Sequence, residues 1–192
     1  VRGFHAEQKD TRASPLKNYH MSTKVEPGGC EPVEFKQPEP VGRPRVLLSA
    51  AVSLDGYLDH DGPSRLVLSS KQDADAVDAL RSVSDAILIG AGTARRDDPL
   101  LMVRAAARSE ARVLAGQSPS PLRVILTQSG NLPADLRVLN SPEVHTRVYC
   151  PAQAAAHSAD RWPAHVEVVR LESCTLASIL SHLHETGVRR LL

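Results

Sequence analysis

Short apolar runs alternate with amphipathic segments along most of this chain, and that alternation limits the folds open to it. Apolar runs of about five residues bounded by turn residues are typical of buried strands, whereas apolar residues three or four apart are typical of helices. Strands that alternate with helices favour a mostly parallel sheet with helices on its faces. The predicted strands are 45–52, 65–69, 86–90, 121–126, 147–150, 166–170 and a last run from residue 188.

Two segments have clear helical spacing. Ser70 can cap the first, whose apolar positions recur through Leu80. The second has one apolar face from Leu176 to Leu183, and Gly187 can end it. The run from residue 188 begins like a further buried strand, and the chain stops within it. We therefore expect an α/β domain that is truncated at its C-terminus, with its last strands missing.

The first 44 residues differ from the rest in composition. They hold six of the 14 prolines, and only 12 of the 44 are hydrophobic. Proline breaks helices and sheet ladders, and so few apolar side chains cannot offset the entropy lost on ordering. The sequence predicts a disordered arm over residues 1–44 and one domain over residues 45–192.

Charge and cysteine content exclude several classes of protein. The 23 basic and 22 acidic residues give a net charge of +1, without the basic excess of a nucleic-acid-binding protein. No apolar run approaches the roughly 20 residues that span a bilayer. The three cysteines form no C-x-x-C pair and no even disulfide set. We expect a cytoplasmic protein with neither nucleic acid nor membrane as a partner.

Two candidate binding segments follow predicted strands, where parallel sheets bind ligands. In Gly90-Ala-Gly-Thr93, the glycines let backbone N–H groups approach a phosphate and Thr93 adds a hydroxyl group. A tight strand exit explains the same residues equally well. The segment matches neither G-x-G-x-x-G nor a P-loop. In Ser53-Leu-Asp-Gly56, Asp55 is either an acid or a simple turn residue.

Histidine and cysteine spacing predicts no metal site. His5-Ala-Glu7 matches the start of the zinc deaminase signature, but no P-C-x-x-C follows. The remaining candidates lack the spacing of metal ligands with acidic support. They are His157, His165, His182 and His184.

Four segments together resemble the riboflavin-pathway reductase family. They are residues 43–56, Asp78-Ala-Leu-Arg81, residues 84–93 and residues 96–104, in that order. This family is the reductase half of the bacterial bifunctional deaminase–reductase and has the dihydrofolate reductase fold. The resemblance covers residues 44–192. It implies NADPH-dependent reduction of 5-amino-6-(5-phosphoribosylamino)uracil, or a similar pyrimidine ribosylamine, to the ribitylamino product.

The resemblance also implies which residues line the site. By the family's pattern, the NADPH site contains Ala51, Thr93 and Asp97, and Ser129 is a looser match to a cofactor-contacting serine. The substrate site contains Ser64, Arg81, Leu101 and Arg104. A guanidinium group binds phosphate through a planar fork, which suits both arginines, although each alone is also a common surface residue. The pattern assigns no catalytic side chain.

Two departures from the family pattern bear on activity. Leu66 stands where the bifunctional enzymes often carry an aromatic residue against the cofactor. The family's Glu-Gly-Gly segment, which follows the strand beginning at Val188, is absent from these 192 residues. We expect little or no turnover by this chain, an active longer form, and a homodimer if the protein is complete. Two alternatives stay open: a non-catalytic fragment that retains part of the nucleotide-binding fold, and a dihydrofolate reductase-like enzyme with a buried carboxylate for the pterin.

Overall fold

The structure, a computed structural model, describes residues 40–58, 70–154 and 162–192. The chain divides into two compact units, residues 1–30 and 31–192, and every described residue belongs to the second. The predicted arm over 1–44 falls mostly outside the described residues, so its disorder and the domain boundary at residue 45 stay predictions. The predicted strand at 65–69 also lies outside them.

The described residues form a six-stranded parallel sheet in the order β1-β6-β2-β3-β4-β5. Its strands are β1 (Arg45–Val46), β2 (Ala86–Gly90), β3 (Leu122–Leu126), β4 (Thr146–Pro151), β5 (Val166–Leu171) and β6 (Arg190–Leu191). The helices are α1 (Lys71–Val83), α2 (Ala91–Asp97), α3 (Ala106–Leu114) and α4 (Leu176–Glu185). The expected α/β fold, a parallel sheet with flanking helices, is confirmed.

Each face of the sheet buries its own apolar core. Successive strand residues point to opposite faces, so Ala86 and Ile87 of β2 belong to different cores. The first core includes Ile87, Ala91, Ala94, Ile125 and Val148, with two residues from α2. The second core includes Ala86, Val124, Tyr149, Ile179 and Leu183, with two residues from α4. The central strands are therefore covered on both faces, as their continuous apolar sequences require.

The two predicted helices begin at side-chain caps. Ser70 Oγ accepts a hydrogen bond from Asp73 N at 3.1 Å, as expected for the cap of α1. Thr175 and Ser178 form a reciprocal capping box at the start of α4. Gly187 follows α4 with φ +95°, a conformation that glycine adopts without a steric penalty. No helix in the described ranges is long and apolar enough to cross a membrane.

The predicted buried strand over residues 45–52 is wrong in length and in burial. Strand β1 contains only Arg45 and Val46, and its backbone bonds to β6 end with Leu47 N donating to Leu191 O at 2.8 Å. Leu48 is 89% exposed, and the chain through residue 58 forms no further strand. Strand β1 is an edge strand, and the residues after Leu47 pair with no described strand, so the apolar side chains of Leu48 and Val52 are exposed.

Asp85 attaches β6 to the sheet. Its Oδ2 accepts hydrogen bonds from Arg189 N at 2.9 Å and Arg190 N at 2.7 Å. Its Oδ1 pairs with the Arg190 guanidinium group at 3.0 Å. Since β6 lies between β1 and β2, this one carboxylate helps to hold the first strand as well.

Candidate reductase site

The predicted cofactor residues lie at the carboxyl ends of adjacent strands. Thr93 is exposed in α2 directly after β2, and Ser129 is exposed in the turn after β3. The two segments are joined through Asn131. Arg95 donates to the backbone carbonyl oxygen of Asn131 at 3.2 Å, and the backbone N–H of Asn131 donates to Ser129 Oγ at 3.2 Å. The structure therefore brings Thr93 and Ser129 to one edge of the sheet.

This edge fits a phosphate-bearing cofactor. A Cβ atom added to Gly90 or Gly92 would meet no other atom within 4 Å, so the space beside their backbone is open to a ligand. Exposed hydroxyl groups at Thr93 and Ser129 can donate to phosphate oxygens. Their roles stay predictions, but the local geometry suits them.

Asp97 and Ala51 have less defined positions. Asp97 is the half-buried last residue of α2. The next residue, Asp98, has φ +40°, and its Oδ1 accepts a hydrogen bond from Arg137 N at 2.7 Å. Ala51 is exposed in the irregular segment after β1. Nothing in the described structure connects Ala51 to Thr93 or Ser129, so its place in a cofactor site stays a prediction.

Asp55 takes part in a turn. It is exposed and accepts a hydrogen bond from Ser53 Oγ. The turn is closed by Gly56 N, which donates to Ser53 O at 2.9 Å, and Gly56 has φ +86°. These contacts favour the turn interpretation of Asp55 over a role as an acid.

The two predicted phosphate-binding arginines lie close together. Arg81, near the end of α1, is half-buried and donates from Nη1 to Met102 O at 3.2 Å. Burial lowers the pKa of Arg81, and the positive charge of Arg104 lowers it further. Since Met102 lies two residues before Arg104, the bond to Met102 O places Arg81 against the segment that carries Arg104, and an anion bound beside both would be attracted by their positive charges.

A buried carboxylate beside these arginines was not predicted from the sequence. Asp78 of α1 is 4% exposed, and its oxygens accept hydrogen bonds from Arg104 N at 2.6 Å and Ala105 N at 3.2 Å. Arg108 pairs with Asp78 at 3.0 Å and with Asp75 at 2.7 Å. One sequence signal could have found Asp78: it lies among the apolar positions of α1, which face the core. A carboxylate buried there needs hydrogen-bond donors, so partners for it could have been expected.

The contacts of Asp78 set its charge state. Burial alone would raise the pKa of Asp78, but hydrogen bonds from Arg104 N, Ala105 N and Arg108, with the charge of Arg108, hold it below its ordinary value. The carboxyl group is therefore ionised at neutral pH. The pKa of Arg108 is raised, chiefly by its hydrogen bond to Asp75 and further by its hydrogen bond to Asp78.

This pKa shift predicts a pH-dependent contribution to stability. A carboxyl group with a lowered folded-state pKa stabilises the fold fully above its unfolded pKa of about 3.9, and loses that effect as the pH falls through the folded value. We expect Asp78→Asn to be less stable than the native chain at about pH 7, with a difference that shrinks below about pH 4. Urea unfolding at both pH values checks this, and a difference that does not change with pH contradicts it.

Of the remaining predicted substrate residues, the structure describes only Leu101. Leu101 is 6% exposed, packs in the first core and has φ +51°, so its side chain supports the segment that carries Arg104. Ser64 lies outside the described residues, as does Leu66. No described contact joins the arginine pair to Thr93 and Ser129. Arg81 precedes the start of β2, whereas Thr93 follows its end, so the two groups lie toward opposite ends of the strands.

A separate cavity of about 270 Å³ opens at the amino ends of the strands. It contains none of the predicted site residues. Its lining is Asp85, Arg112, Gln117, Ser118, Ser120, Leu122, Val144 and His145. Across the three described ranges, no group of three or more histidine, cysteine, aspartate or glutamate side chains is arranged to hold a metal ion.

Residues 44–192 match the sequence model of the RibD C-terminal domain. The chain belongs to this family. The expected membership of the riboflavin-pathway reductases is confirmed, and the match covers the described sheet and both groups of predicted site residues. Reductases of the RibD family imply a nicotinamide cofactor.

Two relatives of this RibD-type domain are named as the same reductase. The chain is 38% identical over 152 residues to the 2,5-diamino-6-ribosylamino-4(3H)-pyrimidinone 5′-phosphate reductase of Archaeoglobus fulgidus, covering 78% of this chain and 69% of that protein. It is 32% identical to the protein of the same name from Methanothermobacter thermautotrophicus, covering 78% of this chain and 66% of that one. The chain thus spans about two thirds of each relative.

Solved structures agree with the assignment of the RibD-type fold. A Thermotoga maritima protein described as a diaminohydroxyphosphoribosylaminopyrimidine deaminase/5-amino-6-(5-phosphoribosylamino)uracil reductase superposes with a TM-score of 0.62 at 30% identity. The match covers 78% of this chain and 38% of that one. RibD of Acinetobacter baumannii gives a TM-score of 0.63 at 25% identity, covering 79% and 40%. The dihydrofolate reductase-like fold is therefore confirmed.

Proposed function

We propose that this chain reduces 5-amino-6-(5-phosphoribosylamino)uracil, or a similar phosphorylated pyrimidine ribosylamine, to its ribitylamino product with NADPH. The observation that carries the proposal is the contact of Arg81, on α1, with the segment that carries Arg104, in a chain whose relatives are named for a 5′-phosphate substrate. The choice between deaminated and non-deaminated pyrimidine rests on no residue described above.

The chemistry requires positioning more than a reactive side chain. A ribosylamine opens to a C=N bond; a bound nicotinamide would supply a hydride to its carbon, and water would supply the proton to its nitrogen. The chain's part is to hold the two ligands in reacting geometry. Arg81 and Arg104 bind the ribose phosphate, while Thr93 and Ser129 bind phosphate groups of the cofactor.

A dihydrofolate reductase-like activity is the less favoured function. That enzyme needs a buried carboxylate with oxygens free for the pterin. Asp78 is the buried carboxylate on α1, but its oxygens are engaged by Arg104 N, Ala105 N and Arg108. The pterin would have to displace these donors, whereas a phosphorylated substrate uses the arginines beside them.

Thr93 provides a test of the cofactor side. Thr93→Val removes the hydroxyl group with little change in volume, so the dissociation constant for NADPH should rise by about 10- to 100-fold, corresponding to about 1–3 kcal/mol for a hydrogen bond to a charged phosphate. Fluorescence titration with NADPH measures this. Ser109→Ala is the matched control, because Ser109 Oγ donates to Pro119 O at 3.2 Å, away from this edge. An unchanged affinity in a folded Thr93→Val variant would contradict the assignment.

We further propose that the protein acts in the cytoplasm and, when complete, as a homodimer. The first part is supported by Cys150 and Cys174, which are both free thiols in the described structure. The second part is supported only by the family resemblance. Sedimentation of the purified protein measures the assembly state directly.

A further inference from the structure

We propose that Asp78 is a positioning residue for the substrate phosphate: it fixes the backbone of Arg104 against α1, so that Arg104 and Arg81 face one anion together. This inference rests on the proposed function and deepens it. Asp78 itself touches neither substrate nor cofactor in this account. It acts through Arg104, whose backbone N–H it binds at 2.6 Å.

The segment that carries Arg104 is held by the buried side chains of Leu101 and Val103, by bonds from α3 to Ala105 O, and by hydrogen bonds to side chains. Residues 101–105 belong to no helix or strand, and Leu101 turns the chain with φ +51°. Asp78 binds two consecutive backbone N–H groups, at Arg104 and Ala105. The neighbouring backbone groups are bound by Arg81, at Met102 O, and by Ser120 Oγ, which accepts from Val103 N at 2.9 Å. Of these four bonds, the one from Arg104 N to Asp78 is the one that holds the backbone of Arg104 itself.

The charge of Asp78 also bears on the two arginines. Arg81 Nη1 bonds Met102 O at 3.2 Å and Asp78 bonds Arg104 N at 2.6 Å, so both arginines are held at one segment, where their like charges repel each other. The negative charge of Asp78 opposes that repulsion, since it is a favourable partner of Arg81 as well as a hydrogen-bond acceptor for Arg104 N. Preorganised donors bind an anion more tightly because the cost of assembling them is already met.

The direction in which anion affinity changes when Asp78 is replaced separates a positioning role from a purely electrostatic one. Removing a negative charge next to an anion site tightens anion binding if charge alone matters. Removing Asp78 weakens binding if its hydrogen bonds to the backbone matter. Asp75 is the matched control: it lies on the same helix and pairs with the same Arg108, but its side chain is 61% exposed and no described bond joins it to residues 104–105.

The experiment compares Asp78→Asn, Asp78→Glu and Asp75→Asn in the full 192-residue chain. Calorimetric titration with ribose 5-phosphate reports on the arginine pair, and titration with NADPH reports on the other edge. We expect Asp78→Asn and Asp78→Glu to raise the dissociation constant for ribose 5-phosphate by about tenfold or more, the loss of one hydrogen bond to a charged group. NADPH affinity should stay within about twofold, and Asp75→Asn should leave ribose 5-phosphate binding unchanged or tighter.

The outcomes separate the positioning role of Asp78 from the proposed function. Asp78→Glu keeps the negative charge but moves the carboxylate away from the backbone of Arg104. If Asp78→Asn does not fold, comparing Asp78→Glu with Asp75→Asn still shows whether Asp78 acts by positioning or by charge alone. Equal ribose 5-phosphate binding by the Asp78 variants and the native chain would overturn the positioning role. Tighter binding by Asp78→Asn, matched by Asp75→Asn, would show a purely electrostatic effect and would overturn it as well. A native chain that binds neither ribose 5-phosphate nor NADPH would instead contradict the proposed function.

Discussion

Replacing Asp85 with alanine should lower the free energy of unfolding by about 2–4 kcal/mol, because it leaves backbone N–H groups at the start of β6 without partners and unpairs Arg190. Strand β6 has two residues, so few ladder bonds remain to hold it between β1 and β2. Urea denaturation measures the loss as a lower midpoint at an unchanged slope.

An exposed ion pair gives the matched control for Asp85. Glu167 pairs with Arg147 at 2.6 Å, but the Glu167 side chain is 53% exposed and binds no backbone N–H group in the described structure. Glu167→Ala should therefore cost about 1 kcal/mol or less. Equal losses in the two variants would contradict the account, since they would show that Asp85 contributes only a surface ion pair.

Arg81→Lys and Arg104→Lys should each weaken binding of the phosphoribosylamino pyrimidine by about 10- to 100-fold while sparing NADPH. Lysine keeps the positive charge but loses the planar fork that pairs with two phosphate oxygens. Arg81 also loses the geometry that lets it bond Met102 O while facing the anion. Equilibrium titration with the phosphorylated pyrimidine, and with NADPH separately, measures both affinities.

Arg170→Lys serves as the control for these changes, because Arg170 is exposed on β5, away from both groups of site residues. It should alter neither affinity. A chain whose pyrimidine affinity is indifferent to both Arg81→Lys and Arg104→Lys would show that the phosphate binds elsewhere. A parallel loss of NADPH binding would show that the two arginines support the fold rather than the substrate.

The central strands could be predicted from the sequence because their own residues determine them. The prediction for β2, residues 86–90, matches its observed bounds, and that for β3 differs by one residue. Both are short apolar runs bounded by polar turn residues and buried on two faces. Strand β1 was overpredicted because the length of an edge strand depends on its partner, which local pattern does not encode.

Two helices had no sequence prediction. Both α2 and α3 lack a side-chain cap, since Gly90 and Ala105 stand at their N-cap positions. Without a capping residue, a short polar segment such as 94–99 is easily taken for a loop. Helix α2 forms because Ala91 and Ala94 pack in the first core, which is a tertiary contact.

In the candidate site, too, some features follow from local residues and others depend on contacts between distant segments. The motifs indicated Thr93 and the family pattern indicated Arg81 and Arg104, but the role of Asp78 depends on contacts 26 and 27 residues along the chain. Leu101 fits the family pattern by residue type, and the structure shows its side chain buried in the first core. The binding roles of Thr93, Arg81 and Arg104 stay predictions, whereas the contacts of Asp78 could be found only in the folded chain.

The most direct test of the central claim is a single-turnover transfer of deuterium. The chain, in excess, is mixed with 5-amino-6-(5-phosphoribosylamino)uracil and NADPH that carries deuterium at the transferable position, and the pyrimidine is analysed by mass spectrometry. Excess protein limits the reaction to a single turnover, in which slow transfer is still detected. The account predicts a ribitylamino product with deuterium at the former anomeric carbon. A ribitylamino product that lacks deuterium at that carbon would contradict it.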